Sequence, residues 1–319
     1  MAGSPVACID IGTYSTRLLI ARVYETGGPS AAGTARRAPT KMDIQLDEGR
    51  ITNLGRRLGE TGVLELEAIE DTVAAVHEFL EVLQEAGAKR VRILATEAVR
   101  QSRNATALLE RLPSEVEVLT PEREAFFAYL ANAASFPDFK PRIVMDEGGG
   151  STEITWGDGD SPAKWRSFPF GVVSLTEQYL KHDPPDDKEL IALQHFLASQ
   201  YMALPLDDLD GYAFIALGGT ITSLAALIQG LRVYDSSRVH GFRIPVTSVR
   251  EWYRNMASQP LAERAKPPVI GGKRARVMVA GLAEFVTLFN AMRDACVAPD
   301  SVRVSEWGIR HGALLELSA

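Results

Sequence analysis

The sequence predicts an α/β fold of two similar domains facing each other across a cleft, and three observations carry that prediction. An apolar strand that ends on an acid and runs into a Gly/hydroxyl turn occurs twice, as Asp10-Ile11-Gly12-Thr13-Tyr14-Ser15 and as Asp146-Glu147-Gly148-Gly149-Gly150-Ser151. Self-similarity at such a spacing marks an internal duplication. Short strands alternate with a strongly amphipathic helix, the order expected of a sheet covered by helices. A chain of 319 residues also suits two domains of about 150 each.

Along the chain, residues 6–10 form the first strand, and 18–24 pair with it after a polar turn. Leu66, Ile69, Val73, Val76, Leu80 and Leu83 recur at steps of three and four, which predicts one helix with a single apolar stripe. Gly87 stands where a left-handed C-terminal cap belongs. Residues 91–95 read as a buried strand, and a short helix follows Thr96. The pattern then restarts. Residues 143–146 are a strand, 153–156 a second that closes on Gly157-Asp158-Gly159, and 164–168 a third that pairs with it. Residues 214–217 form a further strand ending at Gly218-Gly219-Thr220, with a helix expected from about Ser223. The segments around Pro184-Pro185 and over 260–276 read as irregular insertions.

Composition narrows the function. With 34 basic and 41 acidic side chains the net charge is −7, which argues against nucleic-acid or anionic-membrane partners, because both need a positive field. Two cysteines, Cys8 and Cys296, are too few and too far apart for a disulfide framework, so a reducing, cytoplasmic setting is expected. The N-terminus has no basic region ahead of its apolar run, and the apolar stretch 277–289 carries Glu284 and is too short to span a bilayer.

Gly-rich turns between strands expose backbone N–H groups and let an anion approach without meeting a Cβ. The repeated turn places Gly12, Thr13, Tyr14 and Ser15 in one candidate phosphate loop and Gly148, Gly149, Gly150, Ser151 and Thr152 in the other, with Gly218, Gly219 and Thr220 as a third motif. Asp146 and Glu153 stand at either end of the second loop, where both carboxylates can face one site; hard oxygens of this kind suit Mg²⁺. Asp10 is a metal ligand or electrostatic anchor on the other wall. Arg17 and Arg100 follow strand ends, and residues 262–276 hold Arg264, Lys266, Lys273, Arg274 and Arg276 against one acid, Glu263, a basic path for a polyanion. The histidines show no metal-ligand spacing, and no nucleophile–His arrangement is readable. Glu124 by itself reads as an acid in a first helical turn, where the helix dipole favours a carboxylate.

These residues resemble the exopolyphosphatase/guanosine pentaphosphate phosphohydrolase (Ppx/GppA) family of the actin-like, RNase H-like ATPase superfamily. The resemblance covers nearly the whole chain: the two loops, the Ala95-Thr-Glu-Ala-Val-Arg100 and Val118-Leu-Thr-Pro-Glu-Arg-Glu124 segments, Gly218-Gly-Thr-Ile-Thr222, Val239-His-Gly241 and Ser305-Glu-Trp-Gly-Ile-Arg310. It implies that Glu124 is the catalytic glutamate that orients or deprotonates water, that Asp146 and Glu153 hold Mg²⁺, and that Arg274 contacts phosphate. It implies two actin-like domains, 1–122 with 303–319 and 123–302, a homodimer, and the release of terminal orthophosphate from polyphosphate or from the 5′ end of guanosine pentaphosphate. His240, in the Val-His-Gly turn, is expected to orient its loop near the third motif. Tyr14 stands where many members have Asn, Phe126 where many have Arg and Arg276 where many have Asp, and the chain stops soon after the second domain, as in a short form of the family. A kinase or ATPase of the same superfold, or a non-catalytic binder of guanosine tetra- or pentaphosphate, are the competing readings.

Overall fold

The structure, a computed structural model, describes residues 4–25 and 40–318. It divides into two compact units, residues 1–137 with 309–319 and residues 138–308.

In the first unit, β1 (Val6–Ile11) and β2 (Thr16–Glu25) form the hairpin around the first loop, and β3 (Thr40–Arg50) extends it. α1 (Leu58–Thr61) and α2 (Leu66–Ala86) lead to β4 (Arg90–Ala95), then α3 (Glu97–Gln101), α4 (Ala105–Leu109), β5 (Val116–Val118) and α5 (Pro121–Ser135). The sheet order is β3-β2-β1-β4-β5, with β1, β4 and β5 parallel. α2 ends at Gly87, whose φ of 66° is the left-handed cap that the sequence anticipates. Its buried stripe differs from expectation: Phe79 is fully buried beside Ile69, Val73, Val76 and Leu83, whereas Leu66 at the first position is 67% exposed. Leu66 lies on the angle of the stripe but is the first residue of the helix, ahead of the part that packs in the core. The stripe packs on Ile9, Ile11, Leu18 and Ile20 of the hairpin.

The second unit repeats the plan. β6 (Arg142–Glu147), β7 (Thr152–Gly157) and β8 (Lys164–Phe168) form an antiparallel meander. α6 (Val172–Tyr179) and α7 (Asp187–Tyr201) precede β9 (Ala213–Gly218), which pairs parallel to β6. Then come α8 (Gly219–Ile228), α9 (Ser236–Val239), β10 (Arg243–Pro245), α10 (Val246–Ser258), α11 (Leu261–Arg264), α12 (Gly271–Asp294) and β11 (Ser301–Val304). The order β10-β11-β9-β6-β7-β8 contains the five-strand pattern of the first sheet with one edge strand added. α13 (Ile309–Leu317) closes the chain in the first unit, against α5 and β1.

Four expectations shift. α8 starts at Gly219 itself, four residues before Ser223, because the turn passes straight into the helix. The basic segment 260–276 is half helical, with α11 inside it and α12 starting at Gly271. α12 is long and apolar enough to cross a membrane by length and composition alone, and 83% of its most apolar window is buried in the second unit, as in a core helix. The divisions fall at 137/138 and 308/309, later than the expected 122/123 and 302/303, since α5 belongs with the first sheet and β11 with the second.

Candidate active site

In the first unit the loop 12–15 is closed by the Gly12 N–H, which donates to Ser15 O at 3.0 Å. Asp10 lies one residue from the carboxyl end of β1, and its Oδ1 is buried with no hydrogen-bonding partner. Burial pushes its pKa up to about 6, with Arg310 and Arg17 pulling the other way. Those two arginines are themselves tied to Asp47 of β3: Arg17 at 3.1 Å, and Arg310 with bonds of 2.7 and 3.2 Å to the two carboxylate oxygens and a third to Leu18 O at 3.0 Å. Burial opposes ionisation of Asp47, yet the Arg310 and Arg17 charges hold its carboxyl well below the usual range. Arg17, expected on phosphate, is thus partly committed to a carboxylate, and Asp47 is a residue that sequence reasoning missed.

The strand ends of β4 and β5 bring up the next group. The Thr96 N–H donates to Ile11 O and the Leu119 N–H to Ala95 O, which stitches three parallel strand ends into one edge. In open α/β sheets, ligands bind beyond such carboxyl ends. α5 begins there, capped by Thr120, whose hydroxyl accepts the Arg123 N–H at 3.3 Å, with Pro121 at the first helical position. Glu124 sits in this first turn and is 3% exposed, not solvated. Its Oε1 accepts from Arg100 Nη1, which also donates to Leu119 O at 2.5 Å, while Arg100 Nη2 is gripped by Glu97. The structure therefore makes Arg100 the partner of Glu124, and Glu97 joins the site unannounced.

In the second unit the loop 148–151 is closed the same way, with the Gly148 N–H on Ser151 O at 2.9 Å. Asp146 pairs directly with Glu153, and Glu153 with Ser167, across β6, β7 and β8. Direct cross-strand partners share a face of the sheet, so the two acids lie side by side on one face. Glu153 is 2% exposed and is held by Ser167 Oγ at 2.7 Å, with Ser151 Oγ at 3.5 Å. The alternate face carries Glu147 and Thr152. Thr152, expected among the phosphate ligands, is fully buried, and its hydroxyl donates to Glu284 of α12 at 2.8 Å.

Glu147 and Glu284 form a buried acid pair with no counterpart in the sequence reading. Burial pushes Glu147 up to about 8; Thr220 and Arg274 pull it down, although neither of its carboxylate oxygens makes a hydrogen bond of ordinary geometry. Burial, then the Glu147 charge, pushes Glu284 far above the usual carboxylate range. Arg274 reaches the third motif: a Cβ on Gly219 would overlap its guanidinium, so only glycine leaves it room there. The other cations of the basic segment disperse. Arg264 is buried on Asp183 at 2.9 Å and Lys266 pairs with Glu263 at 2.5 Å, while Lys273 and Arg276 remain exposed. His240 accepts the Glu306 N–H on Nδ1 at 3.1 Å and stacks on Trp307; burial pushes its pKa down to about 4, so it acts as a neutral strut for the segment after β11.

Comparison with known proteins places this geometry. The family model described as the Ppx/GppA phosphatase family matches residues 34–319. The chain is 32% identical to exopolyphosphatase 2 of Mycobacterium tuberculosis, with 100% of both chains covered. Among solved structures it is similar to the Ppx/GppA family member of Aquifex aeolicus, with a TM-score of 0.79, 36% identity and 98% and 97% of the two chains covered. An exopolyphosphatase from Cytophaga hutchinsonii, at 21% identity and a TM-score of 0.82 over 98% and 97%, shares the fold. With its duplicated, actin-like sheets and both Gly-rich hairpins in place, the chain belongs to the Ppx/GppA phosphatase family.

Proposed function

We propose that the chain releases terminal orthophosphate from inorganic polyphosphate, and from the 5′ end of guanosine pentaphosphate, with Glu124 as the base that activates water. The observation that carries this reading is Glu124 itself, a carboxylate 3% exposed at the strand-end edge and fixed by Arg100. Phosphoanhydride hydrolysis passes through a loose transition state, so positioning the water and offsetting charge on the phosphoryl oxygens account for most of the catalysis. Glu124 takes one proton from the water as its oxygen bonds to the terminal phosphorus. The bridging oxygen leaves on the shortened chain, and orthophosphate is released. Arg100 keeps the carboxylate pointed.

Asp146 and Glu153, on one face of β6 and β7, fit Mg²⁺, as does the orphaned Oδ1 of Asp10 in the first unit. When bound, the ion would offset phosphate charge. The test is orthophosphate release from polyphosphate and from guanosine pentaphosphate, comparing wild type with Glu124→Gln. Loss of a base of this kind lowers the rate on the order of 10²–10⁴-fold. Full activity in Glu124→Gln overturns the assignment, and tight guanosine pentaphosphate binding without turnover in the wild type favours a binding protein.

A further inference from the structure

Arg100 is shared by two acids, and the reaction proposed above uses only one of them. Its Nη1 donates to Glu124 Oε1 and to Leu119 O, and its Nη2 donates to Glu97 Oε2. The other oxygen of Glu97 accepts from Gln101 Nε2, so both of its oxygens are engaged. Glu97 is 7% exposed, and Arg100 is the one cation paired with it among the described residues. Two carboxylates on one guanidinium leave a net negative charge in a part-buried group. A buried acid beyond what neutralises Arg100 costs free energy to desolvate, and its charge repels a phosphate chain. Glu97 therefore serves neither stability nor attraction of the substrate.

Its use lies in the shape of the guanidinium. The group is planar, with its donors in a rigid fork on a long, flexible stem. Bonds on Nη1 alone leave the fork free to swivel, whereas bonds on both Nη1 and Nη2 fix its plane. The partner that best suits an arginine fork is a two-pronged phosphate or carboxylate, and a polyphosphate chain offers many such oxygens. With Nη2 kept by Glu97, the fork cannot present both prongs to an incoming phosphate without breaking a charge-assisted bond. Glu97, Arg100 and Gln101 all belong to α3, so anchor and arginine form one piece, while Glu124 arrives on α5.

We infer that Glu97 is a positioning residue that acts through Arg100, holding the guanidinium on Glu124 and keeping it from leaving the base for substrate phosphate. This role rests on Glu124 being the base. It gives Glu97 an effect of opposite sign on the two steps. The acid weakens the attraction of the site for a polyanion and strengthens the turnover of what binds. Its removal should therefore harm kcat and leave KM level or lower, a split that general damage to the frame does not produce.

The decisive variant is Glu97→Gln, which keeps the shape and one acceptor and removes the charge. Steady-state hydrolysis of polyphosphate by the full chain should show kcat lower by about 10–100-fold, the cost of a misplaced base, with KM no higher than wild type. An unchanged kcat, or a raised KM with kcat intact, overturns the inference. Added to Glu124→Gln, the same change should lower the residual rate by less than about twofold, because no base is left to position. A further loss of about tenfold in that background means that Glu97 acts elsewhere, and also overturns it. Gln101→Ala, at an exposed position, keeps the test open should Glu97→Gln fail to fold. It releases only the outer oxygen of Glu97 and should lower kcat by about two- to tenfold with KM level, and a wild-type kcat there overturns the inference. If Glu124→Gln loses its rate and Glu97→Gln does not, the inference fails while the functional reading stands. If Glu124→Gln keeps its full rate, both fall.

Discussion

The buried acid pair gives the second unit a pH dependence that can be worked out from the structure. Glu147 is 3% exposed and Glu284 fully buried, so ionising either means charging a carboxyl that water does not reach. A carboxyl whose pKa is raised on folding binds its proton more tightly in the native state. Its contribution is intact below the unfolded value of 4.5 and is lost as pH rises through the folded value, about 8 for Glu147. At about 1.36 kcal/mol per pH unit, the interval amounts to on the order of 5 kcal/mol. About 3.5 kcal/mol of it falls between pH 5 and pH 8; for a unit of this size about 2–4 °C of Tm follows each kcal/mol, so the wild-type Tm should fall by about 7–14 °C over that range. Glu284→Gln keeps an acceptor for the Thr152 hydroxyl and removes one of the two charges. The variant should match wild type within a few degrees at pH 5 and exceed it clearly at pH 8.5. The assay is thermal unfolding across that range with EDTA present, which keeps divalent ions from adding their own pH dependence. Asp10 titrates near 6 in both proteins and cancels from the difference. Parallel Tm-against-pH curves for wild type and Glu284→Gln would show that the pair carries no such cost.

Two further substitutions probe the phosphate side and the frame. Gly219→Ala pushes only the tip of a flexible arginine, so Tm should hold within about 2 °C while KM for polyphosphate rises about tenfold as Arg274 is displaced; an unchanged KM would remove Arg274 from the phosphate contacts. Arg310→Met leaves Asp47 buried without its two-pronged partner and should cost about 3–5 kcal/mol in urea unfolding at pH 7. Because the Asp47 carboxyl is held well below its usual range, that cost should stay full from pH 7 down to about 4 and shrink only as pH falls further, and a cost that does not shrink there would mean Arg310 acts only through packing.

What was legible in the sequence was whatever repeats or has a period. The duplicated strand–acid–Gly turn announced two related sheets, and the strand order bears this out, because the meander of β1, β2 and β3 recurs as β6, β7 and β8. The spacing of Asp146 and Glu153 announced a shared face, which follows from the two-residue period of the ladder. The same period hid Glu147, one residue away on the opposite face, whose meaning depends on a side chain from α12 more than a hundred residues downstream. Glu97 was hidden for a similar reason: beside Arg100 it looks like an ordinary i,i+3 pair on a helix surface, and only the arrival of α5 makes the arginine a bridge to Glu124.

The bonds that hold the loop carbonyls, from Val172 and Val173 N–H to Gly148 and Gly149 O and from Gly55 and Asn53 N–H to Thr13 and Tyr14 O, lie at the far end of this scale, since a pinned carbonyl leaves no mark on side-chain identity. Their one trace is glycine, at Gly55 and Gly171, where a Cβ would collide with a loop. A sequence of 26 glycines gives no way to separate those two from the ones that merely end helices. The proposed chemistry is thus carried by acids and arginines that the sequence displays, while the backbone geometry of the loops depends on residues that have almost no side chain to read. It follows that substitutions at Gly55 and Gly171 should damage phosphate binding more than their distance in sequence from either loop would suggest, and that aliphatic exchange at Val172 should matter far less than loss of its N–H.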